Sequence, residues 1–291
     1  MKIETLTNLT SGELINRPYI SEVVHFTDNV DEVRRGSCFF AKKTADIPQA
    51  IRNGAYAIVS EKHLDVLDKE IAWIVVESFK KSIFNIFKYE NLKHKIYLGD
   101  KITLMLIKAM NLDKRVVVLE SEEDFLKAIN LTDKFLIMNE KDNAGVFANT
   151  EKLKSKKINL EYLTLFKSKY KEHELNLPLV YKNSLSKALK FFEDNKIKFS
   201  YEFEIERFKA VFVNRFLEEV EYGKSEKVVI TGIKNDEVFF DELNYIVENT
   251  KHAKTVFADS SKMLQSPFNF AVAVGFDFKP KIIEEKGLFD D

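Results

Sequence analysis

The sequence predicts an α/β protein built on parallel sheets and divided into three domains. Three observations predict it. Short apolar strands alternate with amphipathic helices along most of the chain. The length, 291 residues, exceeds one typical small domain. With 45% hydrophobic and 31% charged residues, the composition is that of a folded globular chain. A chain of this size buries well over half of the surface it exposes when unfolded, so no metal or disulfide staple is needed.

The predicted first domain spans 1–90. Ile47 to Asn53 reads as a short helix, Gly54 as its C-cap and Ala55 to Val59 as a strand. Ile71 to Val76 is a second strand, followed by a helix over Lys80 to Tyr89 with Ile83, Phe84 and Phe87 on one face. The predicted second domain, 91–222, opens with strand Lys95 to Leu98 and helix Thr103 to Met110. Strand Arg115 to Leu119 follows, then helix Ser121 to Ile129 with Ser121 as N-cap, then strand Lys134 to Met138. That alternation requires a parallel sheet. A polar connection runs from Asp142 to Lys157. Beyond it lie strand Leu160 to Phe166, helix Asn183 to Asn195 and strand Phe208 to Val213. The predicted third domain, 223–291, is a βαβ unit: strand Lys227 to Gly232, helix Asp236 to Asn249 and strand Thr255 to Ala258. Short helix Ser260 to Gln265 and strand Phe270 to Val274 close it.

Several function classes are set aside by composition. Lys+Arg and Asp+Glu nearly cancel at a net charge of -1, so no global field draws the chain to nucleic acid or anionic membrane. The start is not a secretory signal and no run reaches spanning length, which predicts a cytoplasmic protein without membrane insertion. The one cysteine, Cys38, reads as a small buried hydrophobe and excludes a multi-Cys zinc site. The five histidines, at 25, 63, 94, 173 and 252, form no i, i+4 ligand pair, so no metal is expected. The clusters Lys152 to Lys157 and Lys251 to Lys254, and the pairs Glu122-Glu123 and Glu218-Glu219, read as solvated surface charge. Tyr222-Gly223-Lys224-Ser225 has the letters of a phosphate-loop tail but precedes its strand, and reads as a turn.

Two segments carry a resemblance. Thr27-Asp28-Asn29-Val30 is followed by Arg35-Gly36-Ser37-Cys38-Phe39-Phe40-Ala41 and then by Ala50 to Val59 with its Gly54-Ala55-Tyr56-Ala57-Ile58-Val59 strand. This order resembles the N-terminal domain of the Mur ligases, which add amino acids to UDP-MurNAc. There a Thr/Ser-Asp-Ser-Arg turn leads to a Phe-Phe-Ala strand, an Ala-rich helix and a Gly-Ala-x-Ala-Val-Val strand. The resemblance implies that Thr27, Asp28 and Asn29 lie where the family contacts its sugar nucleotide. Val30 stands in place of the family's Arg, and the loop after the strand is cut to Lys42-Lys43-Thr44-Ala45-Asp46.

At the place of the family's ATP loop, Gly-x-x-Gly-Lys-Thr-Thr, this chain has Gly99-Asp100-Lys101-Ile102-Thr103. The family's glycines let backbone N–H groups wrap the phosphates, its Lys neutralises them and its hydroxyl holds Mg²⁺. Here one glycine is present, and Asp100 puts a like charge beside any polyphosphate. At roughly 4 Å and an effective dielectric near 20 that contact costs about 4 kcal/mol. Gly99, Lys101 and Thr103 thus read as a degenerate phosphate loop. Tyr181 to Ala188 is weakly similar to the family's His-Asn-x-x-Asn-Ala helix, with Tyr181 in place of the His. The resemblance implies a Mur-ligase-like N-terminal domain, a reduced central domain and a small α/β C-terminal domain. It also implies a non-catalytic role without cofactor, binding a UDP-MurNAc peptide or a protein partner in cell-wall metabolism. The alternatives are an ATP-dependent amide ligase with an unconventional phosphate site, and an interaction scaffold unrelated to cell-wall precursors.

Overall fold

The computed structural model describes residues 1–143 and 145–281, so the end of the predicted 223–291 domain lies outside the described residues. The chain forms two compact units, one of residues 1–104 with 113–153, the other of 105–112 with the chain from 154 onward.

The first unit opens with helix α1 (Ile3–Thr10) and strand β1 (Glu13–Leu14). Strands β2 (His25–Thr27), β3 (Ser37–Phe40), β4 (Ala55–Ser60) and β5 (Ala72–Val75) then form a sheet of order β1-β5-β4-β3-β2. β2 to β5 run parallel and β1 antiparallel. Helix α2 (Ile47–Arg52) links β3 to β4, with Pro48 in its first turn, where a missing N–H costs nothing. Gly54 follows at φ +98, and a Cβ there would stand 2.9 Å from the Arg35 Cα, so glycine is required. β4 is buried at every position but Tyr56, which explains its continuous apolar run: both faces of a central parallel strand are covered.

Helix α3 (Phe79–Glu90) leads to the unit's second sheet: β6 (Ile96–Gly99), β7 (Val116–Val118), β8 (Phe135–Asn139) and β9 (Thr150–Lys152) in the order β7-β8-β6-β9, all parallel. Helices α4 (Lys101–Met110), α5 (Glu122–Asn130) and α6 (Glu140–Asn143) alternate with these strands. An aromatic cluster joins the two halves of the unit. Phe84 and Phe87 of α3 meet Phe125 of α5 at ring-centroid distances of 5.6 and 4.9 Å, and Phe147 packs on the same rings. A side-chain clamp adds to it: Asn130 accepts from the Phe26 N–H (2.9 Å) and donates to the Phe26 carbonyl (2.7 Å), completing the free edge of β2 as another strand would.

In the second unit, β10 (Glu161–Tyr162), β11 (Ser168–Tyr170) and β12 (His173–Leu175) form an antiparallel sheet. Helix α7 (Lys182–Asp194) follows. Then β13 (Lys209–Phe212), β14 (Val228–Thr231), helix α8 (Phe239–Asn249), β15 (Thr255–Ala258) and β16 (Phe270–Ala273) build a sheet of order β13-β14-β16-β15. β14, β16 and β15 are parallel and β13 antiparallel.

The α/β class with parallel-rich sheets is borne out. Details differ. The strand expected over Leu160 to Phe166 shrinks to Glu161–Tyr162, and the helix expected at Ser260 to Gln265 is a 3-10 turn over Ser261–Gln265. The polar connection Asp142 to Lys157 contributes β9, an edge strand of half-buried Thr and Glu. Cys38 is fully buried in β3, and burial pushes its thiol pKa up. Among the described residues no helix is long and apolar enough to cross a membrane.

Candidate functional site

The Gly99 to Thr103 segment joins β6 to α4. Gly99 packs against apolar neighbours: a Cβ on it would meet Leu153 Cδ1 at 2.8 Å and Leu104 Cδ1 at 2.9 Å. Close packing therefore accounts for this glycine without a phosphate. Asp100 closes the helix start. The Thr103 N–H donates to Asp100 Oδ1 (2.9 Å), the Thr103 hydroxyl donates to Asp100 Oδ2 (2.7 Å), and the Leu104 N–H donates to the Asp100 carbonyl (3.0 Å). This is an N-cap by the chain's own carboxylate, which complements the helix dipole as a bound anion would. Thr103 is wholly buried, and its hydroxyl is committed to that cap.

The Thr27 to Asn29 turn lies at the carboxyl end of β2. Thr27 is buried; its hydroxyl accepts from the Asn29 N–H (3.1 Å) and stands 3.2 Å from Glu32 Oε2 as donor. Asn29 caps a 3-10 turn over Val30–Glu32 by accepting from the Asp31 N–H (3.1 Å). Asp28 points elsewhere, to Lys42 Nζ at 2.7 Å. Lys42 follows the carboxyl end of β3 and also reaches Glu122 Oε2 of α5 at 3.1 Å. Burial works against the Lys42 charge, but hydrogen bonds to Asp28 and Glu122 outweigh it and raise the ammonium pKa. Glu122, expected as solvated surface, is thus one end of an Asp28–Lys42–Glu122 bridge.

That bridge borders a cavity of about 880 Å³. Phe84 and Phe125, half-buried and edge to face, are among its lining. Lys80 and Lys81, in the first turn of α3, also line it, and Lys81 stands 3.5 Å from Glu77 Oε2. Glu120 and Glu123, at the start of α5, line it as well. Lys42, Ser78 and Glu120 follow the carboxyl ends of β3, β5 and β7, the position where open α/β sheets take their ligands. Both helix starts carry side-chain caps from the chain itself. The Phe79 N–H donates to Glu61 Oε1 (2.7 Å) at α3, and Ser121 and Asp124 form a reciprocal capping box at α5. Of the residues singled out from sequence, Asp28 touches the cavity through Lys42; Gly99, Lys101 and Thr103 are not among its lining. Sequence reading missed the cavity because its walls are far apart in the chain. The Ser121-x-x-Asp124 spacing was the one local signal for the α5 wall.

The second unit holds a buried ionic cluster. Arg207 reaches Glu242 through Nε and through a second nitrogen at 2.8 Å, and Asp236 through two nitrogens at 2.7 and 2.8 Å. Tyr181 donates its hydroxyl to Glu242. Glu242 is 0% exposed and the Arg207 side chain 4%. Burial opposes the Arg207 charge, yet the carboxylates at Glu242 and Asp236 hold its pKa above the ordinary value. Burial, then Glu242, raises the Tyr181 pKa. Tyr181 is a hydrogen-bond donor inside the core, so it takes no part in an open site. Among the described residues, no three His, Cys, Asp or Glu side chains converge to hold a metal ion.

No protein-family model matches the chain, and no curated protein sequence matches it. Solved structures are loosely similar. MurF from Acinetobacter baumannii superposes at a TM-score of 0.45 and 10% identity, over 90% of this chain and 80% of that one. A MurF ligase from Thermotoga maritima in complex with ADP gives 0.35 and 14%, over 80% and 76%. A UDP-N-acetylmuramoyl-L-alanyl-D-glutamate–2,6-diaminopimelate ligase gives 0.36 and 12%, over 88% and 76%. Likenesses this loose carry no functional argument.

Proposed function

We propose that this chain is a Mur-ligase-like binding protein of cell-wall metabolism that engages a peptidoglycan precursor or a protein partner and does not turn over ATP. One observation carries the second half of that reading. Asp100 occupies the helix start where a phosphate would sit, and takes both the N–H and the hydroxyl of Thr103. A triphosphate would have to displace a carboxylate from its own cap, then face its charge. The sequence resemblance around Thr27 to Asn29 supports the first half. The proposed contact runs through Asp28 and Lys42 to the cavity, since Thr27 and Asn29 serve their own turn. Under the proposed three-part division this contact draws on 1–90 through Asp28 and Lys42 and on 91–222 through Glu122.

The test is ADP and phosphate release with MgATP, a UDP-MurNAc peptide and an amino acid, in the wild type and in Lys101→Ala. The reading expects the same background in both. Release that depends on precursor and disappears in Lys101→Ala would establish the amide-ligase alternative instead.

A further inference from the structure

We infer that the amino-terminal edge of the first sheet carries a docking surface for a carboxylate-rich segment of a partner protein, with Arg34, Arg35 and Arg52 as its cations and Val24 and Tyr56 beside them. These residues lie at the amino ends of the strands, whereas the cavity lies past the carboxyl ends. The inference therefore goes beyond the reading above and stands whether or not a precursor binds in the cavity.

Two turns held together build the patch. Arg34 and Arg35 precede β3, and Arg52 ends α2 just before β4. The first turn is closed on itself: the Arg34 N–H donates to Ser37 Oγ (3.0 Å), and the Arg34 carbonyl accepts from the Ser37 N–H (3.0 Å). The second is tied down by Asn53, whose Nδ2 donates to the Val30 carbonyl (3.1 Å). The Gly36 N–H donates to the Gly54 carbonyl (3.0 Å) and joins the two turns, while Gly54 leaves room for the Arg35 backbone. Fixed backbone thus gathers the three arginines. All three are exposed, and among the described residues none pairs with a carboxylate as Arg115 and Arg207 do. Of 45 basic side chains only seven are arginines, and three of the seven are here. The distinction matters because the planar guanidinium takes a carboxylate through two parallel N–H bonds, which an ammonium cannot. Arg35 is already anchored: its Nε donates to the Tyr56 hydroxyl (2.8 Å), which leaves its two terminal nitrogens and the phenol proton to donate to a ligand. Val24 is 68% exposed and lies close by, since a Cβ on Gly36 would meet its Cγ2 at 2.8 Å and the Tyr56 Cδ2 at 4.0 Å. Arginine beside an aromatic ring is a pairing enriched in protein interfaces. A nucleic acid fits less well. Asp31 and Glu32, exposed in the turn before Arg34, repel a backbone charged at every step, and a net charge of -1 supplies no field to hold one. A peptide can set carboxylates at the arginines and apolar groups at Val24 and Tyr56.

The experiment is fluorescence anisotropy on the full chain with three labelled probes: the peptide Glu-Asp-Leu-Glu-Glu-Leu, its amide counterpart Gln-Asn-Leu-Gln-Gln-Leu, and a short single-stranded DNA. The variants are Arg34→Glu/Arg35→Glu, Arg52→Glu and Tyr56→Phe, with Arg215→Glu in the second unit as control. The four arginines are exposed, so their reversal leaves the core untouched. The expected result is saturable binding of the acidic peptide that weakens as salt is added. The amide peptide and the DNA should bind at least tenfold more weakly. Arg34→Glu/Arg35→Glu and Arg52→Glu should each lose tenfold or more, Tyr56→Phe less, and Arg215→Glu nothing. No saturable binding of the acidic peptide at millimolar concentration, equal binding of the amide peptide, or as large a loss in Arg215→Glu as in the patch variants would overturn the inference. DNA bound as tightly as the acidic peptide would overturn it in favour of a phosphate surface. A dimer in light scattering that Arg34→Glu/Arg35→Glu dissociates would overturn it in favour of a second copy of this chain.

Discussion

Replacing Asp100 by Ala separates two reasons for expecting no triphosphate site. The side chain accepts two hydrogen bonds from Thr103, at 2.9 and 2.7 Å, and Thr103 is wholly buried. Loss of an N-cap costs about 0.5–2 kcal/mol. Leaving the buried hydroxyl and N–H without their acceptor costs roughly 1–3 kcal/mol. The two overlap, so the combined expectation is a loss of about 2–3 kcal/mol in urea unfolding, with Asp100→Asn, which keeps one acceptor, losing about half as much. The same change removes a like-charge contact of about 4 kcal/mol at a dielectric near 20, which is a factor of about a thousand in affinity for a polyphosphate. If charge alone excluded ATP, Asp100→Ala would bind MgATP in a thermal-shift assay. Because the loop also has one glycine where a cradle needs two, the expected outcome is no shift at millimolar MgATP. A loss of stability under about 0.5 kcal/mol would refute the cap, and a clear MgATP shift in the variant would refute the backbone half of the reasoning.

Three further outcomes are expected. Arg207→Met leaves Glu242 and Asp236 facing each other without their guanidinium, so unfolding of the second unit by circular dichroism should lose about 3–5 kcal/mol; a loss under about 1 kcal/mol would contradict the clamp. Asn130→Ala reopens the β2 edge at Phe26 and should cost about 1–2 kcal/mol in the same assay, with no cost if that edge is solvated in solution. Burial lowers the pKa of both His25 and His94, helped by Arg34 at the first and Lys134 at the second. Their folded pKa values lie below the unfolded value of 6.5, so below that pH the unfolded chain binds more protons and stability falls as pH drops. Urea midpoints should decline between about pH 7 and 5.5, less steeply in His94→Gln; identical slopes would remove His94 from the account.

What the sequence made legible follows from how each element is buried. Strands covered on both faces, such as β4 and β5, are continuous apolar runs, and α3, α5 and α7 show their buried stripes at helical spacing. Helix α1 is hidden by its three threonines, two of which, Thr7 and Thr10, bond back to carbonyls one turn earlier. β11 and β12 carry Lys, His and Glu and take strand form as part of the three-stranded sheet with β10. Of the candidate site, the turn at Thr27 to Asn29 and the loop at Gly99 to Thr103 could be read locally. Lys42 and Glu122 could not, because eighty residues of chain separate two groups that meet only once α5 packs on the first sheet. Glu242 is a similar case: on a helix rich in surface charge nothing local marks it as wholly buried, and its partner Arg207 lies in a different element.

Equilibrium calorimetry of MgATP against the full chain tests the central claim most directly. The account predicts no saturable heat at millimolar nucleotide, in the wild type and in Lys101→Ala alike. Saturable binding in the wild type that Lys101→Ala abolishes would show that the segment from Gly99 to Thr103 holds a triphosphate despite Asp100, and the protein would then be a compact synthetase.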